Sequence, residues 1–283
     1  MKKSNAIAGY FRNGQPYNRF GDGPRKLVVF QGLVFENKPL AGLMLPIFSD
    51  MYTFLFLDPD YTTYIVTRKP GLPDGYTMKN MSDDYATVIK EEFGEPVDVI
   101  GVSTGGSIVQ HFAADHPDLL RKLIIHSSAY TLSDAAKQVQ MRVGQLARQR
   151  QWRAAYATLI SAMIPPSGIM KYLARPVVWL ASLMGGKIFG TPEDPSDLVV
   201  TVEAEDKHDF KDRLAQIKAP TLVVAGDKDP FYTETLFRET AEGIPNAKLI
   251  LYKRMGHPAH GKQFSQDVLQ FLKEGAVEDN LRE

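Results

Sequence analysis

The chain of 283 residues contains no cysteine. That absence excludes disulfides, thiolate metal ligands and a cysteine nucleophile together. Neither sign of charge is in excess: 33 Lys and Arg balance 33 Asp and Glu, for a formal net charge of zero. There is no basic surplus to hold a nucleic acid, and no basic amphipathic stretch points to a membrane surface. No apolar run approaches the length of a transmembrane span. The start, Met1 to Tyr10, is basic but lacks the apolar core of a secretory signal. The expectation is a cytoplasmic protein. Histidine is scarce, with six in all, so each candidate base can be weighed singly.

What is present is ordinary for a globular protein: 44% apolar and 23% charged residues. The length allows one large domain, or a core with a smaller insertion. The most informative stretch runs from Val97 to Ser107. Val97, Val99, Ile100 and Val102 form the apolar run of a strand inside a parallel sheet. Gly101-Val102-Ser103-Thr104-Gly105 follows and leads into a helix. Glycine on both sides lets the chain turn tightly enough to lift the serine hydroxyl above the sheet, the pattern of a nucleophile elbow. The turn also aims a helix N-terminus at the place where negative charge would develop.

The rest of the chain alternates strands and helices. Asn13-Gly14 between aromatic flanks signals a hairpin. Strands are expected at 26–30, 63–67, 121–126, 221–226 and 248–252. Helices are expected at 81–93 with Ser82 as cap, and at 106–115, 233–242 and 265–273. Such alternation predicts a mostly parallel sheet with helices on both faces, and reactive groups beyond the carboxyl ends of the strands. Residues 131–217 carry helix signals only. They are punctuated by Pro165-Pro166 and Gly185-Gly186 and end in a short helix at 209–217. They read as a helical insertion between two core segments, 1–130 and 218–283.

A serine nucleophile needs a base, and the base needs a carboxylate to hold its tautomer. His257 and His260 follow the last strand, where a base must stand to reach Ser103. His257, directly after Gly256, is the first choice. His111 and His116 read as surface residues, His126 as a core histidine and His208 as part of the insertion. Asp227 and Asp229 follow the strand at 221–226. Asp227 suits its own turn backbone, and Asp229 is better placed to reach across; Asp134 is a remote third candidate. Two N–H groups should hold an oxyanion: that of Thr104, next to the serine, and that of Leu33, after Gln31-Gly32.

In the order serine, acid, histidine, the segments Gly101-Val102-Ser103-Thr104-Gly105, Gly226-Asp227-Lys228-Asp229 and Gly256-His257 resemble the α/β-hydrolase superfamily, in particular its cap-bearing esterase, lipase and haloperoxidase-like group. The resemblance covers nearly the whole chain and implies the α/β-hydrolase fold with a helical cap after the sixth strand. Two departures stand out. Gln31-Gly32 replaces a common His-Gly, and Thr67-Arg68-Lys69-Pro70-Gly71 replaces an Asp-x-x-Gly-x-Gly loop, which implies an atypical pocket rim. Ser103 argues against the aspartate chemistry of epoxide hydrolases and haloalkane dehalogenases. The resemblance implies a carboxylesterase acting on small or medium apolar esters through an acyl-enzyme, with no cofactor or metal. Its partner would be a small-molecule substrate, with no nucleic acid and no membrane span; a homodimer stays open. Gln31, Met163, Trp179 and Leu183 are candidate pocket residues. Other Ser-His-Asp chemistries on the same fold are the alternatives: amidase, C–C hydrolase, perhydrolase and hydroxynitrile lyase. A non-catalytic small-ligand receptor is a further one.

Overall fold

An Asn13-Gly14 turn folds β1 (Ile7–Tyr10) back on β2 (Pro16–Phe20) as an antiparallel hairpin. The computed structural model describes residues 6–42, 44–56, 58–163 and 170–274. The basic residues at 1–5 and the Pro165-Pro166 pair lie outside them. The hairpin is joined through β2 to β4 (Tyr61–Val66), also antiparallel. From there the sheet is parallel. It continues through β3 (Arg25–Phe30), β5 (Val97–Val102), β6 (Leu120–His126), β7 (Thr221–Gly226) and β8 (Ala247–Tyr252). The strand order is β1-β2-β4-β3-β5-β6-β7-β8.

Successive strand side chains point to opposite faces, and both faces are dry. Val28, Phe30, Val97, Val99, Leu123 and Ile125 pack with Tyr85, Ile108 and Phe112 of α2 (Met78–Val88) and α3 (Thr104–Asp115). Leu27, Val29, Ile100, Val102 and Ile124 pack on the other side with Tyr52 and Leu55 of α1 (Met44–Phe56). Phe264 and Val268 of α9 (Lys262–Lys273) complete that layer. Burial on both sides is why these strands read as continuous apolar runs.

Between β6 and β7 lies a helical region: α4 (Asp134–Arg148), α5 (Trp152–Met163), α6 (Met170–Phe189) and α7 (Ser196–Asp206). Its core, with Val143, Leu146, Tyr156 and Val202, is continuous with Phe35, Phe231 and Tyr232 of the loops above the sheet. α8 (Glu234–Gly243) connects β7 to β8, capped by the Thr233 side chain.

Several elements differ from expectation. α1 is additional to the expected helices. The cap of α2 is Thr77, whose side chain and that of Asn80 bond each other's backbone N–H groups. Ser82 lies inside the helix with its hydroxyl on the Lys79 carbonyl. Gly185-Gly186 does not break a helix; it sits within α6. A Cβ on Gly185 would run into the Tyr156 ring, so the small residue there serves close packing of α6 on α5. The expected helix at 209–217 is a 3-10 turn, Lys211–Gln216.

Candidate active site

β5 ends at Val102 and α3 begins at Thr104, leaving Ser103 alone at the turn with φ +53° and ψ −123°. That conformation is strained for a residue with a side chain. Two hydrogen bonds hold it: the Ser103 N–H donates to the His126 carbonyl at 3.0 Å, and the Ser103 carbonyl accepts from the Gly106 N–H at 2.7 Å. Gly105 makes the turn possible, because a Cβ there would run into the Phe30 carbonyl.

Asp229 and His257 come from the loops after β7 and β8. Gly226, the last residue of β7, lets these loops meet, since a Cβ on it would collide with the Met255 carbonyl. The Asp229 Oδ1 accepts from the N–H groups of Phe231 at 2.9 Å and Tyr232 at 3.1 Å. Its other oxygen lies 2.7 Å from the His257 Nδ1. The His257 Nε2 lies 3.0 Å from the Ser103 Oγ. With Nδ1 bound to a carboxylate, the proton sits on Nδ1 and Nε2 is left to accept. The Asp229 side chain is fully buried and that of His257 nearly so, which strengthens their attraction. Phe231 meets the imidazole edge-on, with ring centroids 4.9 Å apart, and Tyr232 covers a face.

Thr104 opens α3, so its N–H is among the helix donors without an intrahelical partner. The loop after β3 runs beside the serine: a Cβ on Gly32 would stand 3.3 Å from the Ser103 Cβ. The Leu33 N–H follows in that loop and has no acceptor among the described residues. A tetrahedral oxyanion between Leu33 and Thr104 would find two backbone donors there.

The other candidates fall elsewhere. Asp227 accepts from the Arg254 N–H at 2.6 Å, so it ties down the neighbouring turn rather than its own. Asp134 is exposed, at the start of α4. His260 is exposed and bonds the Pro258 carbonyl. His126 is a core residue between the Tyr52 hydroxyl at 2.8 Å and the Ala259 carbonyl; burial lowers its pKa to about 3. His116 is half-buried beside Asp83. His111 is half-buried, and His208 is buried beside it. Gln31 is fully buried, whereas Met163, Trp179 and Leu183 are exposed, with the Arg153 guanidinium over the Trp179 ring.

Two charged residues that were not among the candidate site residues lie beside it. Glu205 of α7 is fully buried. It accepts from the hydroxyls of Thr104 at 2.7 Å, Ser107 at 3.1 Å and Tyr232 at 3.3 Å. Burial raises its pKa, and the Thr104 and Ser107 hydrogen bonds oppose that rise. Arg68 was read as part of the pocket rim but is 1% exposed. The available signal for Glu205 was its helical spacing from Leu198, Thr201 and Val202, although Glu203, Asp206 and Lys207 surround it; Arg68, next to Lys69 just past β4, carried none. Among the described residues no group of three or more His, Asp or Glu could hold a metal ion, and no helix is long and apolar enough to cross a membrane.

Residues 42–269 match the profile of the alpha/beta hydrolase family. A 2-hydroxy-6-oxononadienedioate/2-hydroxy-6-oxononatrienedioate hydrolase from Pseudomonas sp is 24% identical over 230 residues, 77% of this chain and 79% of that one. Among solved structures, an esterase from Exiguobacterium antarcticum superposes with a TM-score of 0.70 at 17% identity, covering 95% of this chain and 100% of the esterase. A meta-cleavage product hydrolase from Pseudomonas fluorescens IP01 superposes with a TM-score of 0.64 at 14% identity, covering 95% and 97%. At these identities the structural likeness speaks for the fold alone.

Proposed function

Because this chain belongs to the alpha/beta hydrolase family, we propose that it hydrolyses a bond to a carbonyl carbon through Ser103, His257 and Asp229. The observation that carries this reading is the continuous chain of contacts, 2.7 Å from Asp229 to His257 and 3.0 Å from His257 to Ser103. Ser103 attacks the carbonyl while the His257 Nε2 takes its proton. Asp229 stabilises the imidazolium and keeps it oriented. The Leu33 and Thr104 N–H groups hold the oxyanion, a donor of this kind being worth about 3 kcal/mol in the transition state. Collapse breaks the bond to the leaving group, which takes the proton held by His257. Water, deprotonated by His257, then releases the acyl group from Ser103 as a carboxylic acid.

The bond we propose is a carbon–carbon bond beside a ketone. The support is a relative aligned over 77% of this chain: a 2-hydroxy-6-oxononadienedioate has a ketone and carboxylates but no ester, so that enzyme's hydrolysis must break carbon from carbon. In this chain the dienol would first take its 2-keto form, the hydroxyl proton moving to the carbon beside the 6-ketone; that carbon then leaves as a conjugated dienolate, which takes the proton held by His257. Ester hydrolysis is the second reading; it uses the same attacking serine and oxyanion donors, and an esterase shares the fold. Turnover of a 2-hydroxy-6-oxo-dienedioate and of a short-chain nitrophenyl ester, compared by kcat/KM, tests the choice. The carbon–carbon reading expects the dienedioate to lose its conjugated chromophore with the higher kcat/KM. Turnover of the ester alone would overturn that reading in favour of the second.

A further inference from the structure

The two departures noted in the sequence, Gln31-Gly32 and Thr67-Arg68-Lys69, meet at a single contact. Arg68 follows β4, and its Nη1 donates to the carbonyls of Gln31 and Gly32, both at 3.1 Å. A peptide is planar and trans, so its C=O and its N–H point to opposite sides of the chain. The grip of Arg68 on the Gly32 carbonyl therefore turns the Leu33 N–H away from the guanidinium. Ser103 lies against this same loop. Rotating that peptide would replace the Leu33 donor with the Gly32 carbonyl and put an acceptor where an oxyanion needs a donor.

The surroundings of Arg68 make a plain packing role costly. The side chain is fully buried, and burial lowers its pKa. Its Nε and Nη2 have no partner among the described residues, and neither does the Gln31 amide. It forms no ion pair among the described residues; Glu205 and Asp197 act on it only through their charge. A buried, unpaired guanidinium is unfavourable for stability. Its two protein hydrogen bonds both go to the loop that precedes the Leu33 N–H. A charged donor on a carbonyl also polarises the peptide and strengthens its N–H as a donor.

We infer that Arg68 is a positioning residue that orients and polarises the Gly32–Leu33 peptide as the second oxyanion donor. This rests on the hydrolase reading above. Arg68→Met removes the donors while keeping most of the volume. It should lower kcat about tenfold to hundredfold, short of the full loss of a donor, with KM within about twofold. Affinity for a trifluoromethyl ketone, which forms an oxyanion on Ser103, should fall in parallel. Affinity for the matching carbinol, which forms none, should not change. Arg68→Lys, with one cationic donor, should recover part of both losses. If Arg68→Met does not fold, Arg68→Leu, which also lacks a donor, takes its place with the same expectations. A folded neutral variant with unchanged kcat, or one that loses carbinol affinity as strongly as ketone affinity, overturns the inference. Fluorophosphonate labelling of the wild-type protein separates the two claims. An unlabelled wild type overturns the hydrolase reading itself, whereas a labelled, active wild type matched by the neutral variant overturns only the role of Arg68.

Discussion

The His257 Nε2 stands 3.0 Å from the Ser103 Oγ although 154 residues separate the two. Two features of the fold bring them together. The parallel strands β5, β7 and β8 end on the same side of the sheet, and Gly226 lets the loop after β8 cross the end of β7. Asp229 locks the imidazole from behind, with its second oxygen held by two backbone N–H groups.

That arrangement makes Asp229→Asn informative. The asparagine would keep the shape of the loop but present an amide where a carboxylate now accepts the Nδ1 proton. The His257 tautomer with a free Nε2 loses its support. The expected result is a folded protein with kcat lowered by about 10⁴, with thermal stability changed far less than activity. Steady-state kinetics beside a melting curve check it. Loss of less than tenfold would show that Asp229 is not the partner that matters.

Gly105→Ala probes the turn rather than the chemistry. The new methyl would run into the Phe30 carbonyl, with the Gln31 carbonyl 2.9 Å away. Backbone cannot step aside as a side chain can, so the strain spreads into β3 and the start of α3. The variant should lose at least about 2 kcal/mol of stability, as overpacked cores do, and labelling at Ser103 should fall with it. Chemical denaturation with an unchanged midpoint would contradict the packing described for the elbow.

Acid should weaken the fold through His126. Its pKa in the folded protein, lowered to about 3 by burial, lies below the ordinary histidine value. The folded state therefore binds the proton less well than the unfolded chain. The contribution is present in full above the unfolded pKa and is lost as pH falls from about 6.5 toward 3, at up to about 1.4 kcal/mol per pH unit. His208, also buried with a pKa lowered to about 3, adds in the same direction. Stability curves for wild type and His126→Gln should converge as pH falls through this window. Parallel curves would contradict the assignment of His126 as a neutral core residue.

The parts of this fold that could be read in advance are those written in contiguous residues. The strands announce themselves because burial on both faces demands unbroken apolar runs, and Ser103 because its turn admits only glycine nearby. Asp229 was separable from Asp227 by its distance past β7. What could not be read depends on distant partners or on mixed signals. α1 is nearly all apolar, with Pro46 in its first turn, so its helical period is faint. The break between α4 and α5 falls at Arg150, whose positive φ has no glycine to announce it. Arg68 and Glu205 stand among other charged residues in sequence and look like parts of a solvated surface, because the partners that bury them lie 36 and 101 residues away.

The central claim is that Ser103 is the nucleophile, and covalent labelling tests it most directly. Wild-type protein and Ser103→Ala would be treated with a fluorophosphonate and analysed by intact mass and peptide mapping. The account predicts one adduct per chain, on the peptide that carries Ser103, and none in the folded variant. An unlabelled but folded wild type, or a variant labelled to the same extent, would contradict it.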